Sequence, residues 1–541
     1  MGMMQAFFDV ARPQPARRGR VARVVARLTL LAVLPWLTHC ATAPSLEGVE
    51  PSHALPPADN PALDATVLRE FGDTRDVSGV QLVEQNALAF AYRAAAAAAA
   101  ERSLDVQYYI WNDDLTGRLL AAALMRAAER GVRVRVLVDD IDARAKHDVF
   151  QVADLHPNVE VRLFNPFYNR SGSLGPATEW LRRPNVLSRR MHNKAWIVDS
   201  RVAIVGGRNI GDEYFGASEH SNFSDLDVLL AGPIVADVSR AFDAYWNSSN
   251  AVPVSRFDGN PPDPRELEKL VAGAQEYLAQ ADETPYIAAL RDPRQRGELL
   301  ARQPPPLSIE NVRLLVDDPA KVGTHAKGPE ASNVLAGLEG AMFSASSELL
   351  IVSPYFVPRN EGRRILVREV RRGVRVAVLT NSLAATDVAA VHTGYARQRR
   401  ELLAGGVELY EMKRRAGSDE GRRQLSLTGS SGASLHTKAL VADERWVFVG
   451  SMNLDPRSAF LNTEMGVLIE SPELAGQLRA QFERIAGPEL SYRVVLEEGE
   501  GLVWYDRVKG EERRLEREPD ASVGRRLGVT LLRLVPLDSQ L

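Results

Sequence analysis

"MHNKAWIVDSRVAIVGGRN" (residues 191–209) and "LHTKALVADERWVFVGSMN" (residues 435–453) repeat one pattern in the same register. Each holds His-x-Lys, an Asp five residues after the Lys, and a closing Gly-x-x-Asn. The first copy supplies His192, Lys194, Asp199 and Asn209; the second supplies His436, Lys438, Asp443 and Asn453. On an apolar, β-branched run, residues i and i+2 of a strand share a face, so the imidazole and ammonium are expected to project together. The Asp then falls at the strand end, and the run up to the glycine returns as a second strand.

Outward from these stretches the match continues. "RAAERGVRVRVLVDD" (126–140) stands beside "REVRRGVRVAVLTNS" (368–382), each closing a helix at a glycine and opening a strand. The apolar runs "LDVQYYIWNDD" (104–114) and "ELLIVSPYFVP" (348–358) precede them, which makes two β-α-β units, each a parallel pair with a crossover helix. The interval is far longer than any solenoid repeat, so it marks two homologous halves. The divide falls at "ARQPPPLSIEN" (301–311), where Pro304, Pro305 and Pro306 interrupt regular structure. The expected fold class is α/β: residues 66–303 and 304–541 form two α/β sandwich halves, packed face to face around one shared site.

The chain has 541 residues, too many for one ordinary core, which agrees with two halves. Apolar residues make up 45% and charged residues 25%, the balance of a globular protein. Net charge is −4 and the isoelectric point about 6.2, which argues against a protein that coats nucleic acid. Cys40 is the single cysteine, so neither an internal disulfide nor a cysteine metal cage can form. The histidines are scattered with no HExxH, and neither a metal nor another cofactor is expected. Residues 1–40 read as a targeting segment: Arg17, Arg18, Arg20, Arg23 and Arg27 precede the apolar run "LTLLAVLPWL" (28–37). Residues 41–65, rich in Pro, Ala and Ser, read as a flexible tether.

The paired residues suit phosphodiester chemistry. Lysine and asparagine offer a cation and an amide donor to phosphate oxygens. Histidine can attack phosphorus or exchange a proton near neutral pH. Two histidines in one site provide a nucleophile and an acid for the leaving oxygen, and facing halves would supply one each. "FSDLDVLLAGP" aligns with "LNTEMGVLIES", which pairs Asp225 with Glu464; each is expected to hold a ring nitrogen of a histidine, with the choice of histidine open. Ser451 and the two asparagines join them as orienting or phosphate-binding groups. Asp199 and Asp443 carry two readings, catalytic residues or local turn acceptors. A third His-x-Lys, His325 and Lys327, lacks both the Asp and the glycine hairpin and is given no function.

The doubled pattern resembles the HKD motif of the phospholipase D superfamily. "QYYIWNDDLTGRLL", "RMHNKAWIVDSRVAIVGGRNIGDEYFG", "SDLDVLLAGP" and "GASLHTKALVADERWVFVGSMNLDPRSAFLNTEMG" are similar to its cardiolipin synthase C branch, from about residue 66 to the C-terminus. Gly207 stands where the superfamily often has Ser, while Ser451 keeps it. The resemblance implies a phosphatidyl-histidine intermediate and transfer of the phosphatidyl group, from phosphatidylethanolamine in this branch, to phosphatidylglycerol, giving cardiolipin at a membrane surface. His192 as nucleophile and His436 as acid follow the superfamily's assignment. A phospholipase D-type hydrolase or a nuclease of the same superfamily is the alternative. Cys40 after the apolar run resembles a bacterial lipobox, implying acylation and a periplasmic envelope location; an uncleaved signal anchor stays open, as does inner against outer membrane. "LFNPFYNRSGSLGPATEWLRRPN" (163–185), with Phe164, Phe167, Tyr168, Trp180 and Leu181 beside Arg182 and Arg183, is expected at the lipid entrance. "TNSLAATDVAAVHTGYARQRR" (380–400) is the expected acceptor segment, through Asn381, Thr386, Asp387, Arg397 and Arg400.

Overall fold

The computed structural model describes residues 43–170, 174–257, 261–322, 332–414, 432–499, 501–508 and 510–532. Residues 1–40, read above as a targeting segment with Cys40, and the His325–Lys327 pair lie outside the described residues.

The first half contains β1 (Ser78–Val83), β2 (Ser103–Tyr108), β3 (Arg133–Asp139), β4 (Val159–Phe164), β5 (Ala195–Val198), β6 (Val202–Gly206), β7 (Ser221–Ser224), β8 (Asp227–Ala231) and β9 (Ala251–Pro253), then β10 (Leu307–Ile309). The second contains β11 (Val312–Val316), β12 (Glu348–Val352), β13 (Arg375–Asn381), β14 (Glu408–Met412), β15 (Gly432–Leu435), β16 (Ala439–Ala442), β17 (Trp446–Gly450), β18 (Met465–Glu470), β19 (Ser491–Glu497), β20 (Gly501–Val508) and β21 (Glu511–Leu515). The order β1-β8-β6-β5-β2-β3-β4-β9 in one sheet recurs as β11-β18-β17-β16-β12-β13-β14-β19 in the other. The halves are therefore structural repeats. β10 caps the first sheet beside β1, so the boundary lies a few residues past the expected 303/304 divide, between β10 and β11.

In each half the central trio, β2-β3-β4 or β12-β13-β14, is parallel. Parallel neighbours need crossovers, and the helices Leu115–Glu129 and Arg359–Arg371 provide the first of these in each half. Both end before glycines at φ 92°, Gly131 and Gly373, a left-handed turn that a β-carbon would strain.

Helices Ile234–Trp246 and Pro472–Ala486 form a layer between the sheets. Their apolar faces, including Phe242, Trp246, Leu478 and Phe482, join Val228, Leu230, Leu350, Val441 and Val467 in one core shared by both halves. Each outer sheet face has its own core under its own helices. With both faces covered, β1 and β2 are buried along their whole length. On β3 a charged residue is buried as well: Arg135 is paired with Asp105 at 2.7 Å and seated over the Phe242 ring at 4.8 Å.

Residues 52–65 are docked, which corrects the tether expectation for that stretch. Ala54 N donates to Asp243 at 2.8 Å, and Arg135 donates to Ser52 O at 2.9 Å. Asn60 caps the helix Pro61–Phe71 through Leu63 N and reaches Asp199 with its amide.

Candidate active site

Strand direction explains where the site lies. β5 runs antiparallel to β2, so the residues just ahead of β5 stand at the carboxyl edge of the parallel strands. β6 returns to that edge and β8 leaves from it. His192, Lys194, Asn209 and Asp225 are thereby gathered at one edge, and the same topology gathers His436, Lys438, Asn453 and Glu464 in the second half. The carboxyl edge is where open α/β sheets place their ligands.

The His-x-Lys residues precede their strands rather than lying within them, contrary to the sequence expectation. The reason is a tertiary contact: these segments pair with the opposite half. Met191 bridges to Thr463, and His192 N donates to Thr463 O at 2.9 Å. β15, leading into His436, pairs in parallel with β7 of the first half, and His436 N donates to Ser224 O at 2.8 Å. The middle residue of each motif alternates away from the site and stitches the halves together. Asn193 Oδ1 accepts from Thr463 at 2.9 Å, and Thr437 donates to Ser224 O at 3.1 Å.

The orienting carboxylates also cross over. His192 Nδ1 lies 2.8 Å from Glu464 Oε2, and His436 Nδ1 lies 2.5 Å from Asp225 Oδ2. A carboxylate on Nδ1 assigns the proton there and leaves Nε2 with its lone pair facing the site. Each ring is flanked by aromatics: Tyr109 edge-on to His192 at 5.2 Å, and Tyr214 and Phe223 around His436 at 5.2 and 5.1 Å. Lys194 Nζ donates to His192 O at 2.6 Å, and Lys438 Nζ to His436 O.

Both lysines and both histidines are buried. Burial pushes His192 down to about 4, opposed by Glu464 and reinforced by Lys194. His436 is lowered for the same reason, with Lys438 adding to burial. Burial brings Lys194 down to about 7 and Lys438 to about 8, with Asp225 and Glu464 opposing it. For Asp225 burial works the other way, but His436, Lys438 and Arg208 outweigh it and hold the carboxyl ionised. The site therefore presents two neutral imidazoles, two carboxylates and two weakly held ammonium protons, an arrangement suited to an incoming phosphate anion.

A family model described as "Cardiolipin synthase, PLD-like domain" matches the chain twice, over residues 94–246 and 338–486. Cardiolipin synthase C of Escherichia coli K12 is 43% identical over 486 residues, spanning 88% of this chain and 99% of that one. The chain belongs to the cardiolipin synthase family of phospholipase D-like proteins. Cardiolipin synthase B of the same organism is 26% identical over 76% of this chain and 81% of its own. Phosphatidylserine synthase of Haemophilus influenzae Rd KW20 shares the fold, with a TM-score of 0.55 over 85% of this chain and 94% of its own at 14% identity.

Within this family framework the half-sites differ at one paired position. A β-carbon on Gly207 would stand 2.2 Å from Asp225 Oδ1, so the short Asp225 and the bare Gly207 belong together. In the second half the longer Glu464 reaches over Ser451, whose hydroxyl donates to Glu464 Oε2.

Asp199 and Asp443 are not among the gathered residues, which corrects their catalytic reading. They sit at the far end of β5 and β16, at φ 50° and 54°, in the left-handed region that aspartate tolerates better than most residues. Asp199 accepts from the backbone N–H groups of Glu101, Arg102 and Ser103 at 3.0, 2.9 and 2.7 Å. Asp443 does the same for Ser346, Ser347 and Glu348. Each therefore anchors its hairpin to the start of the neighbouring parallel strand. Asp199→Ala removes the acceptor of three backbone N–H groups and of the Asn60 amide, and is expected to cost roughly 3 kcal/mol or more. Differential scanning calorimetry should report a lower Tm, while the folded enzyme keeps its kcat within a few-fold.

Asn209 is committed to Ile110 N and Tyr214 Oη, at 3.3 and 3.0 Å, whereas Asn453 Oδ1 is buried with no hydrogen-bond partner. Asn381, expected to bind the acceptor, instead holds the chain ahead of His436: it accepts from Leu435 N at 2.8 Å and donates to Leu435 O at 2.9 Å. Asp139 takes the equivalent role before His192, accepting from Met191 N at 2.8 Å and pairing with Arg190. The repeat alignment already set Asp139 opposite Asn381, and that was the available signal for both clamps. The rest of the acceptor segment reads differently too. Thr386 bonds Val388 O, Asp387 accepts from Tyr355 Oη at 2.7 Å, and the helix Ala389–Ala404 starts without a side-chain cap.

Proposed function

We propose that this protein is a cardiolipin synthase that moves a phosphatidyl group from phosphatidylethanolamine to phosphatidylglycerol through a phosphatidyl-histidine. The crosswise pairing of each histidine with a carboxylate of the opposite half is the observation that carries the reading. It leaves two Nε2 atoms available in one site between two lysines.

In the first step His192 Nε2 attacks phosphorus and the P–O bond to the ethanolamine breaks. His436, charged as the anionic phosphate offsets the nearby ammonium groups, gives its Nε2 proton to the leaving oxygen. In the second step neutral His436 takes the proton from a hydroxyl of phosphatidylglycerol. That oxygen attacks phosphorus, the P–N bond breaks, and His192 is regenerated with cardiolipin released. Lys194 and Lys438 meet the charge on the transferring group, which is where such sites gain most of their rate. Glu464 and Asp225 hold the tautomers and stabilise each imidazolium as it forms. Asn453 and Ser451 complete the second half-site. The protein works at a bilayer of the bacterial envelope, anchored on the periplasmic side through acylated Cys40; mass spectrometry of the mature N-terminus tests the anchor, and an unmodified Cys40 in an intact chain would remove it.

The acceptor is tested by incubating the protein with labelled phosphatidylethanolamine and excess phosphatidylglycerol in vesicles. Cardiolipin should dominate over phosphatidic acid. Phosphatidic acid as the main product would make the enzyme a hydrolase.

The lysines give a pH signature. They are cationic below their lowered values, about 7 for Lys194 and about 8 for Lys438, and neutral above them. Phosphate attraction is therefore lost as pH rises, and kcat/KM should fall through pH 7–8, because that parameter reports the free enzyme. His436, needed protonated and lowered by burial, adds to the same loss as pH rises, whereas His192 stays neutral down to about 4, so a limb from its protonation should lie far lower. A kcat/KM that climbs steadily to pH 9 would contradict this assignment.

A further inference from the structure

The substrate chemistry proposed above sets a geometric problem. A diacyl phospholipid must bring its phosphate to histidines that are only 8% and 7% exposed, while its acyl chains stay in an apolar phase. The enzyme edge that carries the site therefore has to meet the bilayer directly.

Most large apolar side chains are buried, yet several at this edge are not. In the first half Ile141 follows β3, and Trp180 and Leu181 follow β4, at 44%, 43% and 70% exposure. Earlier in this stretch Phe164, at the end of β4, and Phe167 are core residues, and Tyr168 lies under Arg183. This stretch also touches the site's surroundings, since Asn165 holds the carbonyls of Val186 and Arg189, and Arg457 of the second half donates to Ser188 O. In the second half Val388 follows β13 at 39% exposure, next to Asp387, whose charge reaches Lys438.

The C-terminal helix Val523–Leu532 extends this second rim. Ala521 and Val529 pack with Leu383 and Ala389, and Arg525 donates to Thr386 O. One face is thereby seated on the segment that follows β13. Val523 and Leu527, one turn apart, face outward at 71% and 58%. Arginines accompany both rims, Arg182 and Arg183 in the first half and Arg525 and Arg526 in the second.

We propose that these two rims, one from each half, form a bilayer-docking face that seats the shared site on a membrane containing anionic phospholipid. Trp180 and Leu181 insert on one side of the mouth and Val523 and Leu527 on the other, with the arginines at headgroup level. Apolar rims on both sides keep the acyl chains of donor and acceptor out of water while their headgroups reach opposite histidines. The inference rests on the phospholipid-transfer reading and adds the surface that delivers the lipid.

The full-length protein in phosphatidylethanolamine–phosphatidylglycerol vesicles tests it. Brominated phosphatidylglycerol should quench part of the tryptophan emission, and that part should vanish in Trp180→Phe and in Leu527→Glu. Leu181→Glu and Leu527→Glu should each lower turnover on vesicles at least tenfold, yet leave turnover of a monomeric short-chain phosphatidylethanolamine within twofold. Short-chain turnover checks the chemistry separately, so its absence from the unaltered protein would count against the proposed function rather than the docking face. Three results would overturn the docking face: vesicle turnover unchanged in both variants, equal loss on both substrates, or dissociation of a dimer by Leu527→Glu without loss on vesicles, which would give this face to a second copy.

Discussion

Replacing either His192 or His436 with asparagine should lower turnover at least about 10⁴-fold, because one site needs both a nucleophile and a proton donor and neither imidazole can serve twice in one step. Asparagine is preferred to alanine because it leaves a polar group near the buried partner carboxylate; alanine would strand Glu464 or Asp225 and confound activity with folding. The two losses should not add. Once one histidine is gone, the second contributes little, and the double variant should match the singles within about tenfold. The test is single-turnover kinetics on labelled phospholipid, alongside near-UV circular dichroism. Appreciable turnover in His192→Asn with native spectra would end the two-histidine mechanism.

The second large effect concerns the carboxylates that cross between halves. Asp225→Asn and Glu464→Gln should each reduce kcat roughly 10²- to 10⁴-fold with little change in KM, since an amide offers Nδ1 the wrong partner and the imidazolium loses its counter-charge. Geometry adds a more discriminating arm. Gly207→Ser brings a β-carbon onto Asp225 and should cost activity although no functional atom is removed. Gly207→Ser combined with Asp225→Glu recreates the Ser451–Glu464 pair of the other half and should recover at least tenfold of the loss. No recovery in the double variant would mean that Gly207 matters for the hairpin backbone and not for the seat of Asp225.

Much of this architecture is legible in the sequence because the chain is written twice. The helix–glycine–strand match of 126–140 with 368–382 predicts the parallel pairs, and they form as expected. Asp225 and Glu464 are found by the same comparison. An internal repeat, however, relates a residue to its counterpart and not to its neighbour. That is why the crossing of His192 to Glu464 and His436 to Asp225 could not be read in advance. The same limit explains the strand assignment of His-x-Lys. The apolar pattern permits a strand there, but pairing with Thr463 and Ser224 of the opposite half takes the backbone bonds first. Asp199 and Asp443 mislead for a different reason. Their fixed spacing from the lysine suggests chemistry, whereas it reflects the length of β5 and β16 and the start of the strands they anchor. β10 falls past the proline run because composition marks a break in structure without saying which sheet the next strand will join.

The central claim is a covalent transfer through one of two histidines in a shared site. Acid-free trapping of the enzyme with radiolabelled phosphatidylethanolamine in the absence of phosphatidylglycerol, followed by peptide mass spectrometry, addresses it directly. The account predicts a phosphatidyl adduct on His192 that accumulates in Glu464-intact enzyme, disappears when phosphatidylglycerol is added, and never forms in His192→Asn. An adduct on His436 would reverse the roles of the two histidines, and turnover without any histidine adduct would contradict the mechanism itself.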